Sequence, residues 1–142
     1  MFYVQGFYKI KRIANFNQYK DLLKKYLLSK FVKGTIILSP EGINGTIAGK
    51  KKDVKNCIEY IKDKFSIVSF DGHNTSICEF LPFYRAKVKV KKEVVPIGLK
   101  LKFNEKNKSC YVDPNHWNKL ISDKNVTLID VRKPFEHKVG TF

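Results

Sequence analysis

The stretch with the clearest chemical potential runs Phe83-Tyr84-Arg85-Ala86-Lys87-Val88-Lys89-Val90-Lys91-Lys92. In an extended backbone, side chains alternate between faces, so Val88 and Val90 take one side and Lys87, Lys89 and Lys91 the other. At a rise of ~3.3 Å per residue those ammonium groups repeat every ~6.6 Å. Ammonium groups neutralise phosphates, and Phe83, Tyr84 and Arg85 offer surfaces on which unpaired bases stack, as single-stranded RNA requires. The alternation suits equally well a solvated sheet face on which lysine keeps a strand edge from aggregating. A second candidate is Glu41-Gly42-Ile43-Asn44, a carboxylate and an amide on a glycine-flanked turn. It could hydrogen-bond the edge of a nucleobase, or simply supply turn chemistry.

Other chemistries find little support. His73, His116 and His137 fall in separate segments, and Cys57, Cys78 and Cys110 form no CxxC pair, so no metal site is expected. Neither common glycine-rich nucleotide loop occurs. An odd set of scattered thiols suggests reduced, structural cysteines in a cytoplasmic protein. No apolar run approaches the ~20 residues of a membrane span. The N-terminus Met1-Phe-Tyr-Val-Gln-Gly6 lacks the basic start and apolar core of a signal peptide.

The 142 residues carry a formal net charge of +15, and of the 28 basic residues only Arg12, Arg85 and Arg132 are arginine. Such an excess favours polyanionic partners, whether nucleic acid or an anionic membrane surface. An abundance of Asn and Ile leaves a second source open, the base composition of the gene. Hydrophobic content of 43% with eleven Phe is ample for a core.

The elements that must position these residues follow from periodicity. Phe2 to Ile10 reads as a strand rich in aromatic and β-branched residues. Asn15 followed by Gln18 resembles a capping box, and Phe16, Tyr19, Leu22, Leu23, Tyr26 and Leu27 then recur at helical spacing, which predicts an amphipathic helix to about Ser29. Thr35–Leu38 and Thr46–Ala48 are predicted strands of an antiparallel hairpin, with Pro40, Gly42 and Asn44-Gly45 in its turn. Lys51 to Phe65 is a second predicted helix, with Val54, Cys57, Ile58, Ile61 and Phe65 on one face. A turn is expected over Asp71–Asn74, then extended segments at Ser76–Phe80 and Ala86–Val95. This order predicts an α+β fold: a ferredoxin-like βαββαβ domain over residues 1–103, with both helices on one face of an antiparallel sheet.

Residues 104–112 read as a polar linker. Asp113-Pro114 opens a short helix with Trp117, Leu120 and Ile121 as its buried stripe. Val126, Leu128, Ile129 and Val131 make a nearly continuous apolar run, as expected of a parallel strand buried on both faces. Only eleven residues follow Val131, fewer than the dozen or more of one parallel crossover. Residues 113–142 are therefore expected to be the incomplete start of an α/β domain.

Two resemblances bear on these readings. Val4-Gln-Gly-Phe7 with Arg12 is faintly similar to the phosphate loop of acylphosphatases, though Arg12 lies several residues too far along and the glycine pattern is broken. Far more extensively, the chain resembles the N-terminal part of the rhodanese-related bacterial tRNA uridine hydroxylases. Gly34-Thr-Ile-Ile-Leu-Ser-Pro-Glu-Gly-Ile-Asn-Gly-Thr-Ile-Ala-Gly49 is similar to that family's hairpin, and Phe83 with Lys87–Val95 to its basic strand. Tyr111–Asn118 resembles its entry to the rhodanese domain. Ile129–Arg132, Phe135-Glu136 and Val139–Phe142 resemble the first rhodanese strand and the turn after it.

The resemblance implies a ferredoxin-like domain that helps grip the anticodon region of tRNA, followed by a rhodanese domain bearing a nucleophilic cysteine in a Cys-x-Gly-Gly-x-Arg-Cys loop. The reaction implied is oxidation of the wobble uridine, position 34, to 5-hydroxyuridine. Molecular oxygen is the implied co-substrate of the complete enzyme, and this chain is expected to hold no cofactor of its own. Under this reading Arg85, Lys87, Lys89, Lys91 and Lys92 are phosphate or stacking contacts, and Glu41 and Asn44 lie near the substrate loop. Asp130 and Arg132, with Glu136 and Gly140, form the structural opening of the rhodanese domain. Cys57, Cys78 and Cys110 match no catalytic position, so the chain is expected to bind tRNA rather than DNA or membrane and to be inactive alone. A second polypeptide could complete the rhodanese sheet. A free-standing RNA-binding module, or part of a rhodanese-type sulfurtransferase, are the alternatives.

Overall fold

Nine residues of alternating burial, Phe2–Ile10, form the central strand β1 of the computed structural model, which describes residues 1–94 and 112–141. Asn15 then takes the left-handed conformation (φ 51°) without a side-chain cap, and one 3-10 turn, Phe16–Gln18, leads into α1 (Tyr19–Ser29). The capping box expected at Asn15 is therefore not formed. An asparagine that enters the left-handed region turns the chain instead, and only its carbonyl is used, accepting from the Gln18 N–H at 3.1 Å. Leu23 and Leu27 are buried on α1, while Leu22, at the rim of the predicted stripe, stands 42% exposed.

Strands β2 (Lys33–Ser39) and β3 (Gly42–Gly49) are joined by only Pro40 and Glu41. The turn is thus shorter than predicted, and Asn44-Gly45 lies within β3. Gly45 is opposite Phe7 in the register, and a Cβ there would come 2.9 Å from the Phe7 ring. That glycine makes room for an aromatic rather than for a bend. Helix α2 spans Lys51–Phe65 as predicted, with its five apolar residues buried.

Strand β4 is Gly72–Cys78, so the turn expected over Asp71–Asn74 is mostly strand, and β5 is Ala86–Val90. Pairing along Phe2–Tyr8 draws Gly72, His73 and Asn74 into the ladder, where backbone bonds outweigh the local turn preference. The sheet order is β4-β1-β3-β2-β5. The first four strands are antiparallel neighbours, as a ferredoxin-like domain requires, whereas β5 lies parallel to β2, making the five-stranded sheet mixed. Both helices pack on one face, where Phe7, Ile36, Leu38, Ile43, Ile47 and Val88 meet Leu23, Leu27, Val54, Ile58 and Ile61. Burying each such side chain contributes about 2 kcal/mol.

The chain divides into two compact units, Met1–Lys100 and Leu101–Phe142. All but Val112 of the expected linker, and Cys110, lie outside the described residues. In the second unit, α3 (Pro114–Ile121) begins as predicted, Asp113 Oδ1 accepting the Asn115 N–H at 2.9 Å. Its expected stripe is not buried: Trp117 and Ile121 are of intermediate exposure and Leu120 is 37% exposed. The run from Val126 to Val131 joins no ladder, and Ile129 and Val131 are 75% and 90% exposed. No strand is described in this unit, and the run stays unpaired, as expected of an apolar strand whose neighbours the chain does not supply. Helix α4 (Pro134–Val139) follows, with Glu136 Oε2 accepting the Lys133 N–H at its start. No helix among the described residues is long and apolar enough to cross a membrane.

Candidate nucleic-acid interface

The register places the sequence-predicted residues on the sheet face that carries no helix. Ile36 and Val88 are paired across β2 and β5 and buried beneath the helices, so their neighbours Thr35, Ile37, Lys87 and Lys89 face the other way. Extending those rows through the antiparallel pairs gives Lys89–Ile37–Asn44–Tyr8 and Lys87–Thr35–Thr46–Gly6–Asn74. At ~4.8 Å between strands, Lys89 and Asn44 are about 10 Å apart across Ile37. Helices α1 and α2 pack on the opposite side, so no described helix of this unit covers that face, although Ser39 and Ala48 within it are fully buried. Neither Lys87 nor Lys89 is ion-paired among the described residues.

Thr35 and Lys87 form one wall of a shallow depression of about 540 Å³ whose other walls are Phe83, Tyr84 and Arg85. An aromatic ring, a phenol, a guanidinium, an ammonium and a hydroxyl thus converge, a set that can stack a base and hold the adjoining phosphate. The backbone carbonyl of Arg85 accepts the Gly34 N–H at 3.2 Å, which fixes this segment against the start of β2.

The remaining predicted residues separate. Lys91 and Lys92 are exposed just past the end of β5, where the Lys91 N–H donates to Leu38 at 2.9 Å. Glu41 occupies the hairpin turn at that same end, its N–H donating to the buried Ser39 Oγ at 3.1 Å. The face therefore holds Asn44, Lys87 and Lys89, with Arg85 at one end and Glu41, Lys91 and Lys92 at the other. Tyr8, Thr35, Thr46 and Asn74 also belong to it. Alternation in β1 gives a signal for Tyr8, but only the register shows which residues share its face.

The acylphosphatase-like phosphate loop is not built. Between β1 and α1 the Lys11 and Ile13 N–H groups donate to the carbonyls of Glu41 (3.0 Å) and Pro40 (3.1 Å), so they cannot cradle an anion. A larger depression, about 670 Å³, lies between α2 and β4 and is lined by Tyr3, Gln5, Lys55 and His73 among others. Its Lys62 and Glu59 neutralise each other at 3.0 Å. No group of metal-ligating side chains occurs among the described residues. Cys57 is buried on α2, and burial, reinforced by Asp53, pushes its thiol up to about 12, which makes it an unreactive core residue.

In the second unit Asp130 and Arg132 form a fork. Arg132 Nη2 donates to Oδ2 at 2.8 Å, Nε reaches both oxygens at 3.0 and 3.1 Å, and the Arg132 N–H donates to Oδ1. The hydrogen bonds from that side chain hold the Asp130 carboxyl down at about 2. Gly140 has an extended backbone (φ 176°) that any residue adopts.

Fold and face together define an α+β domain of the ferredoxin-like, acylphosphatase-like kind, with Lys87, Lys89 and Asn44 on a sheet surface that no described helix of this unit covers. The chain belongs to the family described as the UPF0176 acylphosphatase like domain, which matches residues 2–94. It is 49% identical over 142 residues to the tRNA uridine(34) hydroxylase of Pelagibacter ubique, an alignment covering 100% of this chain and 47% of that protein. The chain thus spans about half the length of this curated relative. The family resemblance carried by the Gly34–Gly49 hairpin is borne out at that level. Among solved structures, the acylphosphatase from Bacillus subtilis aligns with 64% of this chain and 99% of its own, at 8% identity and a TM-score of 0.44. Full-length HypF aligns with 66% of this chain and 13% of its own, at 14% identity and a TM-score of 0.49.

Proposed function

We propose that this chain is the RNA-gripping part of a tRNA uridine(34) hydroxylase, and that it holds the anticodon region of tRNA on one face of its sheet. The observation that carries the reading is the placement of Lys87, Lys89 and Asn44 on the sheet face opposite the helices, beside the Phe83–Arg85 depression. Lys87 and Lys89 neutralise backbone phosphates, Arg85 and the aromatics stack an unpaired base, and Asn44 reads a base edge. Glu41, Lys91 and Lys92 extend the contact at the hairpin end. Hydroxylation to 5-hydroxyuridine, with molecular oxygen as co-substrate, belongs to the half of the enzyme that this chain does not span. Asp130, Arg132, Glu136 and Gly140 then form the structural opening of the rhodanese domain, in a cytoplasmic enzyme.

Titrating the chain with an anticodon stem-loop RNA over a range of salt tests this. Affinity should fall steeply as salt rises, and Lys87→Gln with Lys89→Gln should reduce the slope of log K against log salt by about 1.5, from ~0.7 per single-strand contact. A slope indifferent to both changes would remove the sheet face as the binding surface.

A further inference from the structure

A second surface lies at the end of the sheet where β2 and β5 begin and β3 gives way to α2. Phe31 lies there, 86% exposed and held at φ 53°, a conformation that L side chains with bulk rarely adopt. Tyr84 is 98% exposed. Both are tied to the strand ends: Val32 packs on Gly49, 3.5 Å separating its Cα from where a Cβ would stand, and Gly34 bonds the Arg85 carbonyl. Val32 against Gly49 sets the backbone of Phe31 and Lys33 at the same sheet end as Lys50, and the Gly34 bond sets Arg85 there too. Lys51 adds a further cation, with its ammonium 5.8 Å from the Tyr3 ring, as does Lys30 over Tyr26 at 5.6 Å. Asp53, in the first turn of α2, is the acidic group set nearest to them in sequence, and Glu79 lies on the approach to β5.

Exposed aromatic rings near cations that form no ion pair among the described residues offer stacking and phosphate contacts to a flat, anionic ligand. The depression lined by Thr35, Phe83, Tyr84, Arg85 and Lys87 joins this end to the sheet face opposite the helices, because Tyr84 and Arg85 belong to both. We infer that single-stranded RNA crossing the sheet face continues over this end, an unpaired base stacking on Phe31 while Lys33, Lys50 and Lys51 hold the phosphates around it. The inference rests on the sheet-face reading for its direction, and adds a second, separable contact.

Four proteins decide it: the unaltered chain, Lys87→Gln with Lys89→Gln, and two end variants, one carrying Lys50→Gln and Lys51→Gln and the other Phe31→Gly. The probes are oligouridylate and an anticodon stem-loop RNA. If both surfaces act, the lysine end variant loses about tenfold in affinity and its salt slope falls by about 1.5. Phe31→Gly keeps the backbone bonds and relieves the strained φ, yet should lose about fivefold or more through lost stacking. End variants that bind like the unaltered chain, while the sheet variant is weakened, would overturn this inference and leave the sheet face standing. Loss in the end variants alone would uphold this surface and displace the sheet face. No binding of either RNA by the unaltered chain would overturn both.

Discussion

Phe31 occupies a position that the backbone would give to glycine. Its N–H donates to Leu28 and the Val32 N–H to Leu27, at 3.0 and 2.9 Å, which is the paired bonding that closes a helix through one left-handed residue. A side chain in that conformation costs roughly 1–2 kcal/mol. Since Phe31 is mostly exposed, little packing is lost on removing it, so Phe31→Gly should raise stability by about 1 kcal/mol in denaturant unfolding. An unchanged or lower midpoint would mean that the ring packs more than its exposure implies. Cys57 makes the opposite case, a polar group silenced by burial. Its thiol ionises at about 12 when folded, against 9.0. The unfolded chain loses its proton first, so this contribution to stability is whole below pH 9.0 and drains away as pH rises toward 12. Thermal melts across that range should decline less steeply in Cys57→Ala than in the unaltered chain. Cys57 should also resist alkylation until the protein unfolds.

At the scale of elements, α2 is held at its end by a residue from another segment. Lys11 Nζ donates to the carbonyls of Phe65 (2.8 Å) and Ser66 (2.7 Å), satisfying acceptors that a helix terminus leaves open. Hydrogen bonds of a charged donor are worth about 2 kcal/mol, so Lys11→Met should cost that much. Lys9→Met, which breaks the more solvated Lys9–Asp71 bridge at 2.6 Å, should cost about 1 kcal/mol or less. Equal losses would show that the helix end gains nothing special from Lys11. The bounds of α2 were legible in the sequence because its apolar stripe is regular and terminates at Phe65. Its neighbours were less so, each for a nonlocal reason. Asn44-Gly45 has turn chemistry, yet the glycine answers Phe7 on another strand. Gly72–Asn74 has turn chemistry too, and is claimed by the β1 ladder. Of the candidate face, the alternation of Lys87 and Lys89 was visible directly. Its companionship with Asn44, Thr35 and Tyr8 depends on register, which no stretch of sequence states by itself.

For the whole molecule, the buried cluster of the first unit runs from Phe7 to Val88. Isoleucine has two contrasting contexts in one chain. Ile47, fully buried in β3, is surrounded by core, and Ile47→Ala should cost about 3 kcal/mol through lost transfer energy and the cavity left behind. Ile129 is 75% exposed in a segment with no ladder, and Ile129→Lys should change stability by no more than about 0.5 kcal/mol. Amide exchange provides an independent reading of the same contrast. The N–H groups of β1 and β3, central in the sheet, should exchange only on global unfolding, whereas those of Leu128 and Ile129 should exchange as in an open chain. Arg132, whose N–H is held by Asp130, should be intermediate. Strong protection of Leu128–Val131 in the isolated chain, together with a large cost for Ile129→Lys, would mean that this apolar run is buried in solution and would place it in a core of its own.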